Sequence, residues 1–173
     1  ITAVYFGGGT PTILSAGQLE RLFEGIKESF ELSFVREYTV EAGRPDTITA
    51  EKLAVMRRYG VNRLSVNPQS LQDAVLEKAG RRHTAQQAVE SYLLARQFGF
   101  FTINMDLIAG LEGDSPALFE DTLRRVIRLR PENITVHTLS VKRAAGLGEN
   151  PEEVLIRRGA QEMVNFSRRL LAE

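Results

Sequence analysis

Polar residues that could hold a charged small molecule follow several apolar segments of this chain. The clearest case is the triple glycine at positions 7–9, which follows the apolar segment 1–6 and leads into Thr10-Pro11-Thr12. Residues without side chains leave backbone N–H and C=O groups open to a ligand. The segment is typical either of a flexible strand-to-helix turn or of a loop that binds an ammonium or carboxylate group. The Gly-x-x-x-x-Gly-Lys-Ser/Thr and Gly-x-Gly-x-x-Gly patterns are not matched, so nucleotide phosphate binding in those modes is not predicted.

Two carboxylates are the next candidates. Glu41 follows Tyr38-Thr39-Val40 and precedes Gly43, so it is either a solvated residue at a strand end or an acid that points over the edge of a sheet. Asp106 lies among Met105, Leu107 and Ile108. An acid in a buried strand needs a partner or a ligand, because burial without one is costly. The pattern therefore favours a functional role for Asp106.

Cationic residues form the third group. Arg81 and Arg82 follow Gly80, and such a pair either solvates the end of a helix or binds a carboxylate. His83 is expected near a helix cap or on the surface rather than in catalysis. Two positions stay open: His137, which could face either side of a sheet, and Lys142-Arg143, which either solvates a loop or binds propionate-like anions.

An alternation of strands and helices must position these residues. Apolar, β-branched segments predict strands at about 1–6, 37–42, 61–67, 101–108 and 133–141. Capping residues and terminal glycines or prolines predict helices over about 16–30, from Thr49 to Gly60, from Thr84 to Gly99, from Ser115-Pro116 to before Pro131, and from Pro151 to Glu173. This order predicts an α/β protein with parallel strands, either a barrel or an open sheet. In both, ligands bind beyond the carboxyl ends of the strands, which is where the polar candidates fall.

The composition is that of one globular domain over residues 1–173. Apolar residues make up 43% of the chain and charged residues 25%, and 22 basic side chains balance 22 acidic ones. No net charge favours nucleic acid or an anionic membrane, and no segment reaches the roughly 20 apolar residues of a membrane helix. No signal peptide is recognised, so we expect the cytoplasm. The chain starts without methionine inside a predicted strand, and we therefore expect a fragment of a longer protein.

Five segments, taken in order, resemble those of one family. They are Val4-Tyr5-Phe6-Gly7-Gly8-Gly9-Thr10-Pro11-Thr12, Val40-Glu41-Ala42-Gly43-Arg44-Pro45, Asn67-Pro68-Gln69-Ser70, Gly80-Arg81-Arg82-His83-Thr84 and Asn104-Met105-Asp106-Leu107-Ile108-Ala109-Gly110-Leu111. The chain is similar to the oxygen-independent coproporphyrinogen III oxidase branch of the radical S-adenosylmethionine (SAM) enzymes. The resemblance implies a partial (β/α)6 TIM-like barrel of the radical SAM type, with strands two to six present. It also implies a [4Fe–4S] cluster on a Cys-x-x-x-Cys-x-x-Cys loop that would precede Ile1, because this chain has no cysteine and so no metal ligand of that kind.

The resemblance also assigns roles to single residues of the cofactor pocket. Gly8, Gly9 and Thr10 resemble the segment that holds the methionyl amino group of S-adenosylmethionine, and Glu41 matches the acid after the next strand. The other matches are Gln69 and Arg81, with Arg81 suited to a carboxylate, Asp106 near the ribose hydroxyls, and Ser140 near a backbone contact to the adenine. The sequence departs from the family at Asn67-Pro68, where Gly-Val is common, and at Glu112, where proline is common.

The activity implied by the resemblance is the oxidative decarboxylation of coproporphyrinogen III propionates to vinyl groups in haem biosynthesis. It would need S-adenosylmethionine, the cluster and an electron donor protein, so this chain alone should be inactive. The segment 137–143 looks closer to the bacterial group usually named coproporphyrinogen dehydrogenase. Two alternatives remain: a haem chaperone or trafficking protein of the same superfamily, and a cluster-free α/β domain that binds carboxylates.

Overall fold

A single parallel β-sheet forms the centre of the computed structural model, which describes residues 1–138 and 151–172. Its strands are β1 (Ala3–Phe6), β2 (Glu37–Ala42), β3 (Arg63–Gln69), β4 (Thr102–Ala109) and β5 (Asn133–Thr138). All four neighbouring pairs are parallel, and the spatial order β1-β2-β3-β4-β5 is the order of the chain. The five predicted strands are therefore confirmed, with β3 beginning and ending two residues later than predicted. Residues 139–141 of the fifth predicted strand lie outside the described residues.

The strand order decides between the two architectures that the sequence left open. A doubly wound sheet reverses its strand order at a switch point, which places helices on both faces. In this sheet every strand lies beside its predecessor, and crossovers of one hand then keep the helices on one face. That is the winding of a barrel, and it leaves the opposite face of the sheet free.

Helices follow the strands largely as predicted. They are α1 (Ala16–Ser29), α2 (Ala50–Arg58), α3 (Asp73–Lys78), α4 (Ala85–Gln97), α5 (Pro116–Leu129) and α6 (Pro151–Leu170). The side chains of Ser15 and Thr84 form the predicted capping boxes with Gln18 and Gln87. Short 3₁₀ turns at Pro11–Ile13 and Pro45–Thr47 and the short helix α3 were not predicted. None of the helices among the described residues is both long and apolar enough to cross a membrane.

The apolar core lies between the helices and one face of the sheet. Alternate residues of the central strands, such as Val40, Leu64 and Met105, are fully buried there. The ring of Phe23 on α1 packs edge-on against Tyr38 of β2, with ring centroids 5.9 Å apart. Helix α6 closes the layer beside β4 and β5 with the buried side chain of Met163.

The opposite face of the sheet carries polar side chains, because successive residues of a strand point to opposite sides. We call this surface the polar face; it comprises Tyr5, Thr39, Glu41, Ser65, Asn67, Asn104, Asp106, Thr135 and His137. The interior of an ordinary (β/α)8 barrel is filled by branched apolar side chains. A sheet with this composition is suited to surround a polar ligand instead.

Candidate functional site

The glycine segment after β1 lies against the carboxylate of Glu41. A Cβ atom built on Gly7 would come within 2.7 Å of Glu41 Oε2 and would also overlap the ring of Tyr5, so a larger residue would displace these two side chains. Gly8 has a φ of +116°, a conformation that residues with side chains avoid. No described atom comes within 4 Å of a Cβ built on Gly9, which leaves open space beside the loop. The segment therefore places open backbone beside the Glu41 carboxylate.

Glu41 is held from the neighbouring strand. The hydroxyl of Tyr5 donates a hydrogen bond to Glu41 Oε2 over 3.3 Å. Burial and the nearby Glu41 carboxylate raise the pKa of Tyr5, so the phenol stays protonated and remains a donor. Glu41 is only partly buried, and its other oxygen, Oε1, is available to accept hydrogen bonds from a ligand.

Lys52 ties the loop after β1 to the loop after β2. Its Nζ donates hydrogen bonds to the carbonyl oxygens of Thr12 and Thr47, over 2.6 and 2.9 Å. The hydroxyls of the same two threonines lie 2.6 Å apart and share a hydrogen bond. Sequence reasoning missed Lys52, because a lysine on a helix ordinarily indicates a solvated surface.

Asp106 lies on the polar face of β4, with 15% of its side chain exposed. Asn104 Nδ2 donates a hydrogen bond to its Oδ1, and Thr135 in turn donates to Asn104 Oδ1 over 2.8 Å. Ser65 Oγ is 3.5 Å from Asp106 Oδ2, but its single hydrogen has a closer acceptor in Asn67 Oδ1 at 2.9 Å. The carboxylate is therefore oriented by one strong donor and keeps acceptor capacity for hydroxyl groups of a ligand.

His137, whose orientation the sequence left open, also lies on the polar face. Its Nε2 is 3.9 Å from Asp106 Oδ2, and more than half of the side chain, 57%, is exposed. A protonated imidazole at this distance would add a positive charge beside Asp106.

Gln69 ends β3 in a strained conformation. Its φ is +65°, which is unusual for a residue with a side chain, and the register with β4 shifts between Val66 and Gln69. The residue is 8% exposed, yet its Oε1 has no hydrogen-bond partner within the described part of the chain. Backbone strain of this kind costs about 1–3 kcal/mol and is concentrated at functional sites. Buried polar atoms without a partner are few in native proteins, and each needs an explanation. The sequence indicated Gln69 as a polar residue that closes the third apolar segment, and the resemblance assigned it to the cofactor pocket.

Arg81 lies farther out on the same edge of the sheet. It follows the end of α3, is exposed, and lines a cavity of about 200 Å³ together with Arg44, Arg82 and His83. Arg44 forms an ion pair with Asp46 at 2.7 Å, which holds the pKa of that carboxyl below its ordinary value. Among the side chains described, those of residues 1–138 and 158–172, no carboxylate lies within 4 Å of the guanidinium nitrogens of Arg81 or Arg82. Both are available to an anionic group.

His83 differs from expectation. Of the two positions expected, the structure has the helix cap and not the surface, because His83 immediately precedes the cap residue Thr84 and is only 5% exposed. Its Nε2 lies 3.0 Å from the carbonyl oxygen of Pro68. Burial lowers the pKa of His83 below its ordinary value, so the ring is neutral near pH 7.

The structure thus brings most of the candidates to one edge of the sheet. Gly8, Gly9 and Thr10 follow β1, and Gln69 ends β3. Glu41 lies one residue before the end of β2 and Asp106 three residues before the end of β4, and Arg81 lines a cavity with Arg44, which follows β2. Ser140 and Lys142-Arg143 lie outside the described residues. No group of three or more His, Asp or Glu side chains in the described part of the chain is arranged to hold a metal ion.

Comparison with known proteins agrees with this geometry. The sequence model of the radical SAM superfamily matches residues 1–126. The chain is 49% identical over 151 residues to the oxygen-independent coproporphyrinogen-III oxidase-like protein HemZ of Bacillus subtilis, covering 87% of this chain and 30% of HemZ. It is 39% identical over 146 residues to the heme chaperone HemW of the same organism, covering 82% of this chain and 38% of HemW. The chain therefore spans about a third of the length of these relatives.

A solved structure shows the same architecture. Coproporphyrinogen III oxidase (HemN) from Escherichia coli superimposes with a TM-score of 0.77 at 28% sequence identity, covering 96% of this chain and 41% of HemN. The expected partial TIM-like barrel of the radical SAM type is confirmed.

Proposed function

The chain belongs to the radical SAM superfamily, and on that basis we propose that it is the central part of a longer enzyme that binds S-adenosylmethionine at the carboxyl ends of β1–β4. The observation that carries this proposal is Gln69. Gln69 combines a strained backbone with a buried amide oxygen that has no partner in the described structure, which is the combination of features that functional sites concentrate.

The residues present fit the chemical groups of that cofactor. The methionyl ammonium is a donor that suits Glu41 and the open backbone of Gly8, Gly9 and Thr10, and Gly7 brings that backbone close to Glu41 Oε2. The methionyl carboxylate suits the guanidinium of Arg81, which has planar donors. Two ribose hydroxyls suit the spare acceptor positions of Asp106. We assign Ser140 to the adenine on the resemblance alone.

The cluster would be held outside this chain. S-adenosylmethionine and a [4Fe–4S] cluster together supply one-electron chemistry that removes hydrogen from an unactivated carbon. Thiolates hold such clusters, and this chain has no cysteine, so its own residues bind and orient the cofactor. The intact enzyme would also need an electron donor protein. A thiolate-bound cluster favours the cytoplasm, where thiols stay reduced.

For the substrate we propose coproporphyrinogen III, whose propionates would be oxidatively decarboxylated to vinyl groups in haem biosynthesis. The similarity to HemZ and HemN supports this choice. A second candidate is a haem chaperone, which the 39% identity to HemW favours. A third, a cluster-free domain that binds carboxylates, would use the same arginine-lined cavity without S-adenosylmethionine.

The first experiment measures binding of S-adenosylmethionine by the intact protein after anaerobic cluster assembly. Equilibrium dialysis would compare the wild type with Glu41→Gln and Asp106→Asn. Glu28→Gln is the matched control, because Glu28 is an exposed carboxylate on α1 at the helix side of the sheet. Weaker binding in the first two variants alone is expected. Equal affinity in all four proteins would contradict the site assignment, and no binding by the wild type would contradict the proposed cofactor.

A second experiment separates oxidase from chaperone. Coproporphyrinogen III, S-adenosylmethionine and a reductant would be incubated with the protein, and the product mass would be followed for loss of carbon dioxide. Haem would be titrated in parallel by its Soret absorbance. Decarboxylation identifies the oxidase, whereas stable haem binding without turnover identifies the chaperone.

A further inference from the structure

A single carbonyl oxygen joins the two segments that carry Gln69 and Arg81. The carbonyl of Pro68, one residue before Gln69, lies 3.0 Å from Nε2 of His83, two residues after Arg81. A carbonyl oxygen can only accept, so Nε2 carries the hydrogen and the tautomer is defined. The ring is buried and neutral, and it contributes a directional hydrogen bond rather than a charge.

The same oxygen closes the turn that contains Gln69. The backbone N–H of Ser70 donates to the Pro68 carbonyl over 2.7 Å, which makes a three-residue turn centred on Gln69 at a φ of +65°. Turns of this hand are rare and strained, so surrounding structure must hold them. The angle φ of Gln69 is the rotation about its N–Cα bond, and the Pro68 carbonyl lies in the peptide plane at the N-terminal side of that bond. A hydrogen bond to that oxygen from outside the turn therefore resists its relaxation.

We propose that His83 is a positioning residue that holds the turn at Gln69 and thereby fixes the conformation in which Gln69 takes part in the proposed cofactor site. This inference deepens the proposed function and rests on it. The buried imidazole acts through Gln69 alone.

The test compares two substitutions of similar size in the intact protein with its cluster assembled. His83→Gln keeps an N–H donor at nearly the position of Nε2, whereas His83→Met removes it. We expect His83→Met to weaken binding of S-adenosylmethionine about tenfold, the usual effect of one neutral hydrogen bond, and His83→Gln to restore most of the affinity. Equal loss in both variants would overturn the proposal, because packing alone would then account for the effect.

A double-mutant cycle shows whether His83 acts through Gln69. Gln69→Gly removes the amide and adopts a positive φ without strain, so no positioning is needed. His83→Met should then cause no further loss in the Gln69→Gly protein. An undiminished tenfold loss in that background would overturn the proposal.

Hydrogen exchange at the Ser70 amide measures how stably the turn at Gln69 is closed, and it needs no cofactor. Mass spectrometry of the peptide covering residues 66–72 should show faster exchange in His83→Met than in the wild type or His83→Gln. Unchanged exchange would overturn the role of His83 even if S-adenosylmethionine binds normally. Absence of cofactor binding in the wild type, together with faster exchange in His83→Met, would refute the proposed function while the role of His83 in the turn stands.

Discussion

Replacing Lys52 by methionine should destabilise the chain by removing the link between the loops after β1 and β2. The ammonium makes two hydrogen bonds, of 2.6 and 2.9 Å, to the carbonyls of Thr12 and Thr47, and Thr12 is fully buried. Hydrogen bonds to a charged group contribute about 1.5–3 kcal/mol each. Lys52 is only half-buried, so water competes, and we expect a total loss of about 2 kcal/mol. For a chain of this size that lowers the Tm by about 4–8 °C.

Thermal unfolding followed by circular dichroism measures this loss, with Lys27→Met as the matched control. Lys27 is exposed on α1 and makes no hydrogen bond or ion pair with the described residues, so its substitution should change the Tm by less than about 1 °C. Equal Tm values for the two variants would refute the reasoning that Lys52 holds the loops. In the intact protein Lys52→Met should also weaken binding of S-adenosylmethionine, because both loops are proposed to contact it.

Three further predictions concern the site. Gly8→Ala should destabilise the chain by about 1–2 kcal/mol in urea unfolding, because φ is +116° there; an unchanged midpoint would contradict that strain. Burial lowers the pKa of His83 below its ordinary value of 6.5, so the unfolded chain binds a proton first as the pH falls. Between pH 7 and 5 the wild type should therefore lose more stability than His83→Gln, and parallel urea midpoints would refute this. Glu41→Ala and Asp106→Ala should lower affinity for S-adenosylmethionine at least tenfold and leave the circular dichroism spectrum unchanged; a changed spectrum would instead indicate a structural role.

Much of the fold could be predicted because its signals are local. The capping boxes at Ser15 and Thr84 and the apolar strands are properties of neighbouring residues, and they appear where predicted. Strand order is not local, so the residue pattern left barrel and open sheet undecided, and only the resemblance predicted the barrel. The end of β3 could not be predicted from neighbouring residues either, because its extension to Gln69 depends on pairing with Leu107 on β4.

The site was predictable only where a residue type conflicts with its surroundings. Asp106 is visible in the sequence as an acid in an apolar segment, and its position on the polar face explains the conflict. Gln69 carries no such signal, because its strain and its unpaired oxygen arise from tertiary structure. The same holds for Lys52 and His83, whose partners lie 40 and 15 residues away in sequence.

The polar face has a consequence for how such a protein can change over time. Hydrophobic burial, the main favourable term in folding, comes from the helix side of the sheet, where Phe23, Leu64 and Met105 lie. Residues such as Thr135 and His137 point away from that layer and can be exchanged without opening cavities in it. Selection can therefore alter what the polar face recognises with little loss of folding stability. New binding specificities then become accessible by single substitutions on an unchanged scaffold.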